Sequence, residues 1–108
     1  MDAVTRDLQH HLQAILDCTR RILELANTRE WHVLDEIESR RQRLFAELFA
    51  RPLLSSEGDK IAACMRQVLT IDGETVERME AARRELSVGL REVRLGKRAQ
   101  LAYSENSR

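Results

Sequence analysis

The stretch LELANTREWHVL, residues 23–34, decides the fold, because one apolar-striped helix stops within it and the next begins. Asn27 suits the N-cap of the new helix, and Glu30, three residues later, completes a capping box. Ala26 and Trp31 then take the positions of a hydrophobic staple, so we predict that Trp31 packs over the joint. The alternative for Trp31 is an anchor at a partner surface. A connection this short makes the two helices antiparallel neighbours.

Apolar residues on both sides of this corner recur at alternating spacings of four and three, which predicts amphipathic helices over about residues 3–26 and 29–50. The first row comprises Leu8, Leu12, Ile15, Thr19, Ile22 and Ala26, flanked by Val4, Leu16 and Leu23. The second row comprises Leu34, Ile37, Arg41, Leu44 and Leu48, flanked by Val33, Phe45 and Phe49. Arg41 is the polar residue in an otherwise apolar row, and Pro52 stops the second helix.

A third and longer helix is predicted over about residues 58–94. It follows the loop PLLSSEGD, in which Ser56 with Asp59 can cap the new helix. Its row comprises Ile61, Met65, Val68, Asp72, Thr75, Met79, Ala82, Leu86, Gly89 and Val93. The row keeps its phase across Asp72 and Gly73, which favours one helix over two that meet there. Such a helix extends beyond its two partners, so part of its apolar row should lack a cover within the chain.

These elements predict an all-α fold, an antiparallel three-helix bundle over residues 1–95 with a long third helix. The apolar pattern decays after Gly96. Residues 96–108 are therefore predicted to form a short, weakly held C-terminal helix or a disordered tail.

The composition excludes several classes of function. Lys and Arg together number 18, as do Asp and Glu, so no net field draws the chain to nucleic acid or anionic lipid. No apolar run is long enough for a membrane span and the N-terminal residues lack the layout of a signal peptide, so we expect a cytoplasmic protein. Cys18 and Cys64 do not form a metal-binding pattern and are expected to be small apolar core groups in a reducing compartment.

No catalytic or cofactor-binding set can be assembled from this sequence. His10, His11 and His32 lack companion ligands at metal-binding spacing, so we expect solvated side chains. There is no Ser-His-Asp set and no glycine-rich phosphate loop, so the chain is predicted not to be an enzyme and to need neither cofactor nor metal.

One local excess of basic residues occurs near the end of the third helix. It consists of Arg91, Arg94, Lys97 and Arg98. These cations either form a solvated helix end, where they suit the helix dipole, or steer an acidic partner.

Three segments resemble the FliT family of flagellar type III export chaperones. They are LELANTREWHVLDEIESRRQRLF at the first corner, IDGETVERMEAARREL in the third helix and GKRAQLAY in the tail. Two departures accompany the resemblance. Arg29 stands where a Gly often precedes Glu-Trp, so we expect a more helical corner, and the segment after Tyr103 is short.

The resemblance implies a cytoplasmic chaperone that binds the C-terminal helical region of the filament cap protein, prevents its early assembly and hands it to the export gate and the export ATPase. The client would lie along the exposed row of the third helix, in a helix-in-groove arrangement. The expected contacts are Val76, Met79, Leu86, Leu90 and Val93, with Phe45 and Phe49 as additional candidates. By analogy with the family, Leu101 and Tyr103 are expected to fold back over that groove in the free protein.

Two other classes stay open at the level of sequence. In the first, the exposed row pairs with its copy in an antiparallel homodimer, making a self-associating structural module. In the second, the protein is a regulatory adaptor that binds a flagellar transcription regulator, an activity that the resemblance also implies. Both would use the same apolar row.

Overall fold

The computed structural model describes residues 3–106, and the side chains of residues 6–105. Over this range the chain forms α1 (Ala3–Thr28), α2 (Trp31–Ala50), a short 3-10 turn (Ser55–Glu57) and α3 (Gly58–Asn106), without a β-strand. This confirms the all-α prediction with three helices. The side chain of Val4, assigned above to the first apolar row, and the final tail residues 107–108 lie outside the described residues.

The chain divides into two compact units, Met1–Arg78 and Met79–Arg108, and each is described by itself. The first unit holds α1, α2 and the beginning of α3, and its larger apolar cluster joins all three helices. Its buried members are Leu8, Leu12, Ile15, Leu16, Leu48, Ile61, Cys64 and Val68. Full burial of one such side chain stabilises the fold by about 1.5–3 kcal/mol, so this cluster is the main source of stability of the first unit.

Cross-helix hydrogen bonds show the directions of the three helices in the first unit. His11 Nε2 of α1 bonds to the carbonyl oxygen of Leu44, while Thr19, further along α1, bonds to Arg41, earlier in α2. α1 and α2 are therefore antiparallel, as the short connection predicted. Arg41 also bonds to Asp72, whereas Leu48 packs in the same cluster as Ile61, so α3 runs antiparallel to α2 as well.

The corner between α1 and α2 is built differently from the predicted capping box. α1 continues to Thr28, and Arg29 follows in the left-handed region with φ of 60°. The amide of Glu30 donates to the carbonyl of Leu25 at 3.0 Å, and that of Arg29 donates to the carbonyl of Ala26 at 3.3 Å. These are the two bonds of a Schellman motif, with Arg29 at the position that glycine usually fills.

Three expectations for this corner were therefore wrong. Asn27 lies inside α1, and Glu30, not Asn27, is the N-cap residue of α2, without a side-chain cap. The corner at Arg29 is not more helical than a glycine corner, because Arg29 adopts the left-handed conformation that glycine would. The physical reason is that the Schellman bonds satisfy two carbonyl groups at the end of α1, which an Asn27 cap would leave without amide partners.

Trp31 lies at the joint but is not part of its buried cluster. It is the first residue of α2 and its side chain is 38% exposed. The corner is filled instead by a second buried cluster of Ile22, Leu25, Ala26 and Leu34, with Val33 and Ile37 packed against it. Because α2 begins only at Trp31, the indole stands at the helix end, and the residues one turn later reach α1.

Glu57, not Ser56 with Asp59, organises the start of α3. Its carboxylate is buried and accepts the amide of Leu54 at 3.0 Å through Oε1 and the Arg51 guanidinium at 2.7 Å through Oε2. Charge-assisted hydrogen bonds of this kind are stronger than a neutral serine cap. They fix the 3-10 turn from which α3 begins at Gly58.

α3 continues without interruption to Asn106, through Gly73, Gly89 and Gly96. The unbroken phase at Gly73 thus reflects one helix, as favoured above. The expected helix end near residue 94, followed by a separate short helix, was wrong. A helical glycine costs about 1 kcal/mol relative to alanine, and the good helix formers that follow Gly96 compensate for it. Of the helices in the described part of the chain, none has the length and apolarity needed to cross a membrane.

Candidate partner-binding site

The second unit presents an exposed row of large apolar side chains on α3. Met79, Leu86, Leu90 and Val93 are 43%, 65%, 49% and 59% exposed. Their spacings of seven, four and three residues place them on one face of the helix. We call these four residues the apolar row. Ala82 and Gly89 belong to the same face, and their small size allows another helix to approach closely.

The other predicted contact residues lie in the first unit. Val76 is half-exposed on the early part of α3. Phe45 and Phe49 stack on α2 with ring centroids 6.5 Å apart and planes 7° apart. Phe45 packs against the buried core, whereas Phe49 is 56% exposed. The structure therefore brings the two phenylalanines together as a pair, of which Phe49 is the accessible member.

Leu101 and Tyr103 are both strongly exposed in the second unit. They lie on the same continuous helix as Leu90, because α3 runs to Asn106. A segment of one continuous helix cannot cover another face of that helix. Leu101 and Tyr103 can therefore fold back over the apolar row, as predicted, only if α3 breaks between that row and Leu101.

A charged network crosses the first unit. The Arg41 guanidinium, with a side chain only 11% exposed, donates through Nη1 to Asp72 Oδ1 at 2.7 Å and to Thr19 Oγ1 at 3.2 Å. Nη2 donates to Glu38 Oε2 at 2.8 Å, and the guanidinium carbon lies 5.9 Å from the ring centre of Phe45. The network joins all three helices around one cation.

A pattern in the sequence points to this network. Arg41 and Asp72 each interrupt an apolar row, and their charges are opposite. Buried charges are usually paired, so two such interruptions on neighbouring helices point to each other. Within the described part of the chain, Arg41 Nε is a buried nitrogen without a hydrogen-bond partner, which shows how closely apolar groups surround the guanidinium.

The cysteines and histidines belong to the first unit. Cys18 and Cys64 are free and buried, and burial raises the pKa of the Cys64 thiol. His11 is not a solvated side chain as expected, because it is partly buried and bonds to the Leu44 carbonyl. Among the residues that the structure describes, no group of three or more His, Cys, Asp or Glu side chains is arranged to hold a metal ion.

Several exposed apolar residues were not singled out from the sequence. They are Leu53, Leu54, Leu69, Val88 and Leu95. Leu53 and Leu54 follow Pro52 in the loop, whereas Val88 and Leu95 lie on α3 away from the apolar row. Val88 and Leu95 are seven residues apart and therefore share a helix face, and this spacing is the sequence pattern that points to them as an exposed pair.

These features define the class of protein: an all-α chain with a small helical core and a third helix that carries an exposed apolar row. The family model described as "Flagellar protein FliT" matches residues 9–105, so the chain belongs to the FliT family. This is a family of flagellar export chaperones. Neither the comparison with curated proteins nor that with solved structures gave a match.

Proposed function

We propose that this protein is a cytoplasmic chaperone that binds the C-terminal helical region of the filament cap protein. It keeps that region from assembling early and delivers the cap protein to the export gate and the export ATPase. Membership in a family of flagellar export chaperones supports the general role. The single observation that supports the client site is the apolar row, Met79, Leu86, Leu90 and Val93, on the exposed face of α3.

Binding would be a helix-in-groove interaction without covalent chemistry. Each large apolar side chain that leaves water contributes about 1.5–3 kcal/mol, and the client loses an exposed apolar face at the same time. Association and side-chain ordering subtract several kcal/mol from that gain. Met79 adds a flexible side chain that can adapt to the shape of the client helix.

Val76, Phe45 and Phe49 are further candidate client contacts, and all three lie in the first unit. Half-exposed Val76 and largely exposed Phe49 have apolar surface left to bury, whereas most of Phe45 is already engaged with the core. We therefore expect Phe49→Ala to weaken client binding more than it weakens folding. The stacked Phe45 would support the Phe49 ring from below.

The decisive test is light scattering on the purified protein, alone and with a peptide from the C-terminal end of the cognate cap protein. We expect a one-to-one complex that Leu90→Asp weakens by about 2–3 kcal/mol, which is roughly a 30-fold to 150-fold loss of affinity. Val88→Asp is a matched control, because Val88 is 51% exposed and Leu90 49%, yet they lie on different faces of α3. Both variants should keep the far-UV circular dichroism of the unchanged protein.

The same experiment separates the homodimer from the chaperone. A self-associating module would show a molar mass that rises with concentration without any peptide, and Leu90→Asp would return it to the monomer. That result, with no peptide complex, would overturn the proposed client site.

A further inference from the structure

A second face of α3 in the second unit carries arginines at a regular interval. Arg84, Arg91 and Arg98 follow one another at seven residues, with Val88 and Leu95 between them. Residues seven apart lie on one helix face, about 10.5 Å apart along the axis. We call these five residues the arginine face. At 100° per residue it lies on the side of the helix opposite the apolar row.

Two of the three arginines, Arg91 and Arg98, have no carboxylate within reach on their own helix, whereas Arg84 has Glu80 four residues before it. A carboxylate three or four residues away would give an ion pair, but the residues at those distances from Arg91 and Arg98 are neutral or basic. Across the second unit, as far as its side chains are described, no ion pair within 4.0 Å engages Arg84, Arg91 or Arg98. Arg41 in the first unit, by contrast, has two carboxylates.

Local repulsion adds to this lack of partners. Arg94 stands three residues after Arg91 and four before Arg98, and like charges at these distances oppose the helix. An acidic partner would relieve that repulsion. The face also carries a shallow groove, which is lined by Glu80, Arg83, Arg84, Ser87, Val88 and Arg91.

We propose that the arginine face binds an acidic amphipathic helix of a partner protein, with carboxylates at seven-residue intervals and apolar residues between them. Guanidinium groups bind carboxylates in a two-pronged geometry, and a helix presents its side chains at the same seven-residue repeat. Val88 and Leu95, 51% and 62% exposed, would contact the apolar residues between those carboxylates. This surface is separate from the proposed client site, so the protein could hold a client and this second partner together.

Charge disfavours a second copy of this chain as the occupant. In an antiparallel pair centred on Arg91, Arg91 would face its copy and Arg84 would face Arg98. In a parallel pair in register, each arginine would stand beside its own copy. Both arrangements place like charges together.

A lipid surface or a nucleic acid fits the face less well. Continuing the heptad in both directions reaches Glu77 and Glu105. A continuous lipid or phosphate surface would lie against these carboxylates, whereas a partner helix can place a neutral or basic residue opposite each of them. Phosphates would also leave Val88 and Leu95 without an apolar partner.

The test measures fluorescence anisotropy of the full chain with a labelled synthetic helix that has Glu at every seventh position and Leu and Ala between. The triple variant Arg84→Gln, Arg91→Gln and Arg98→Gln should lose about tenfold in affinity, and binding should weaken with salt. The matched control is Arg78→Gln, Arg94→Gln and Lys97→Gln, which removes three cations from other faces of α3. It should lose less than about twofold. A peptide with Gln in place of Glu should bind weakly to every form.

Several outcomes would overturn the proposal. Equal losses in the two triple variants would mean that net charge alone attracts the peptide. Binding to vesicles of phosphatidylglycerol and phosphatidylcholine without binding to the Glu peptide would assign the face to membranes. A dimer that the arginine-face variant dissociates would assign it to self-association. Retention of the cap-protein peptide by the arginine-face variant is expected, and its loss would mean that the two faces are not separate sites.

Discussion

Arg41 and Asp72 form an ion pair of 2.7 Å between the charged side chains that interrupt the apolar rows of α2 and α3. The pair joins α2 to α3, and Thr19 extends it to α1. Arg41 is 11% exposed and Asp72 32%, so the pair is largely withdrawn from water. Such a pair adds little net stability over apolar residues, but loss of one partner leaves a costly unpaired charge.

We expect Asp72→Ala to lower the free energy of unfolding by about 2–3 kcal/mol, because the Arg41 guanidinium would keep only Glu38 as an anionic partner. Urea titration followed by circular dichroism measures the change. The double variant Arg41→Leu with Asp72→Leu should recover most of the loss, since it removes both charges. A double variant as unstable as Asp72→Ala would show that the polar network itself stabilises the bundle.

The backbone of Arg29 leads to a second prediction, which concerns thermal stability. Its φ of 60° is strained for a residue with a Cβ atom. Arg29→Gly should be more stable than Arg29→Ala by about 1 kcal/mol, which for a chain of this size raises Tm by several degrees. Comparison with alanine is the control, because both variants lose the interactions of the Arg29 side chain. Equal Tm values for the two would contradict the Schellman geometry at this corner.

The buried thiol of Cys64 should make the free energy of unfolding depend on pH in the alkaline range. Burial raises the pKa of its thiol, and Sγ lies 3.7 Å from the Leu12 carbonyl, so the folded protein favours the neutral form. The contribution is fully present below the ordinary thiol pKa of 9.0 and is lost as the pH rises from there through the folded pKa. Unfolding titrations between about pH 7 and 10 should therefore show a steeper decline for the unchanged protein than for Cys64→Ala. Parallel curves would mean that other groups cause the decline.

The sequence predicted the helices better than their ends. Periodicity located three amphipathic helices and the face of α3 that becomes exposed, because burial follows the 3.6-residue repeat. It misplaced the boundary between α1 and α2. Asn27 suits an N-cap, but the chain forms a Schellman motif there instead, in which Arg29 adopts a left-handed φ. It also placed the end of α3 too early, because the apolar pattern stops after Gly96 whereas the helix continues to Asn106. The pairing of Arg41 with Asp72 depends on tertiary neighbours, which no local pattern specifies.

The last prediction concerns Leu101 and Tyr103, which we propose lower client affinity by covering the apolar row in a minor state of the free protein. That state needs a break in α3, and Gly96 is the weakest helical residue between Leu90 and Leu101. Gly96→Ala should stabilise the helix there by about 1 kcal/mol without a clash, because no atom lies within 4 Å of the added Cβ. Affinity for the cap-protein peptide should rise by the reciprocal of the open fraction, about twofold to tenfold, as it should on deletion of residues 96–108.

The matched control is Gly73→Ala, which is equally free of clashes but lies outside the proposed break. Unchanged affinity in both the Gly96 variant and the deletion would refute a regulatory tail. An equal gain in affinity from Gly73→Ala would instead trace the effect to general helix stability.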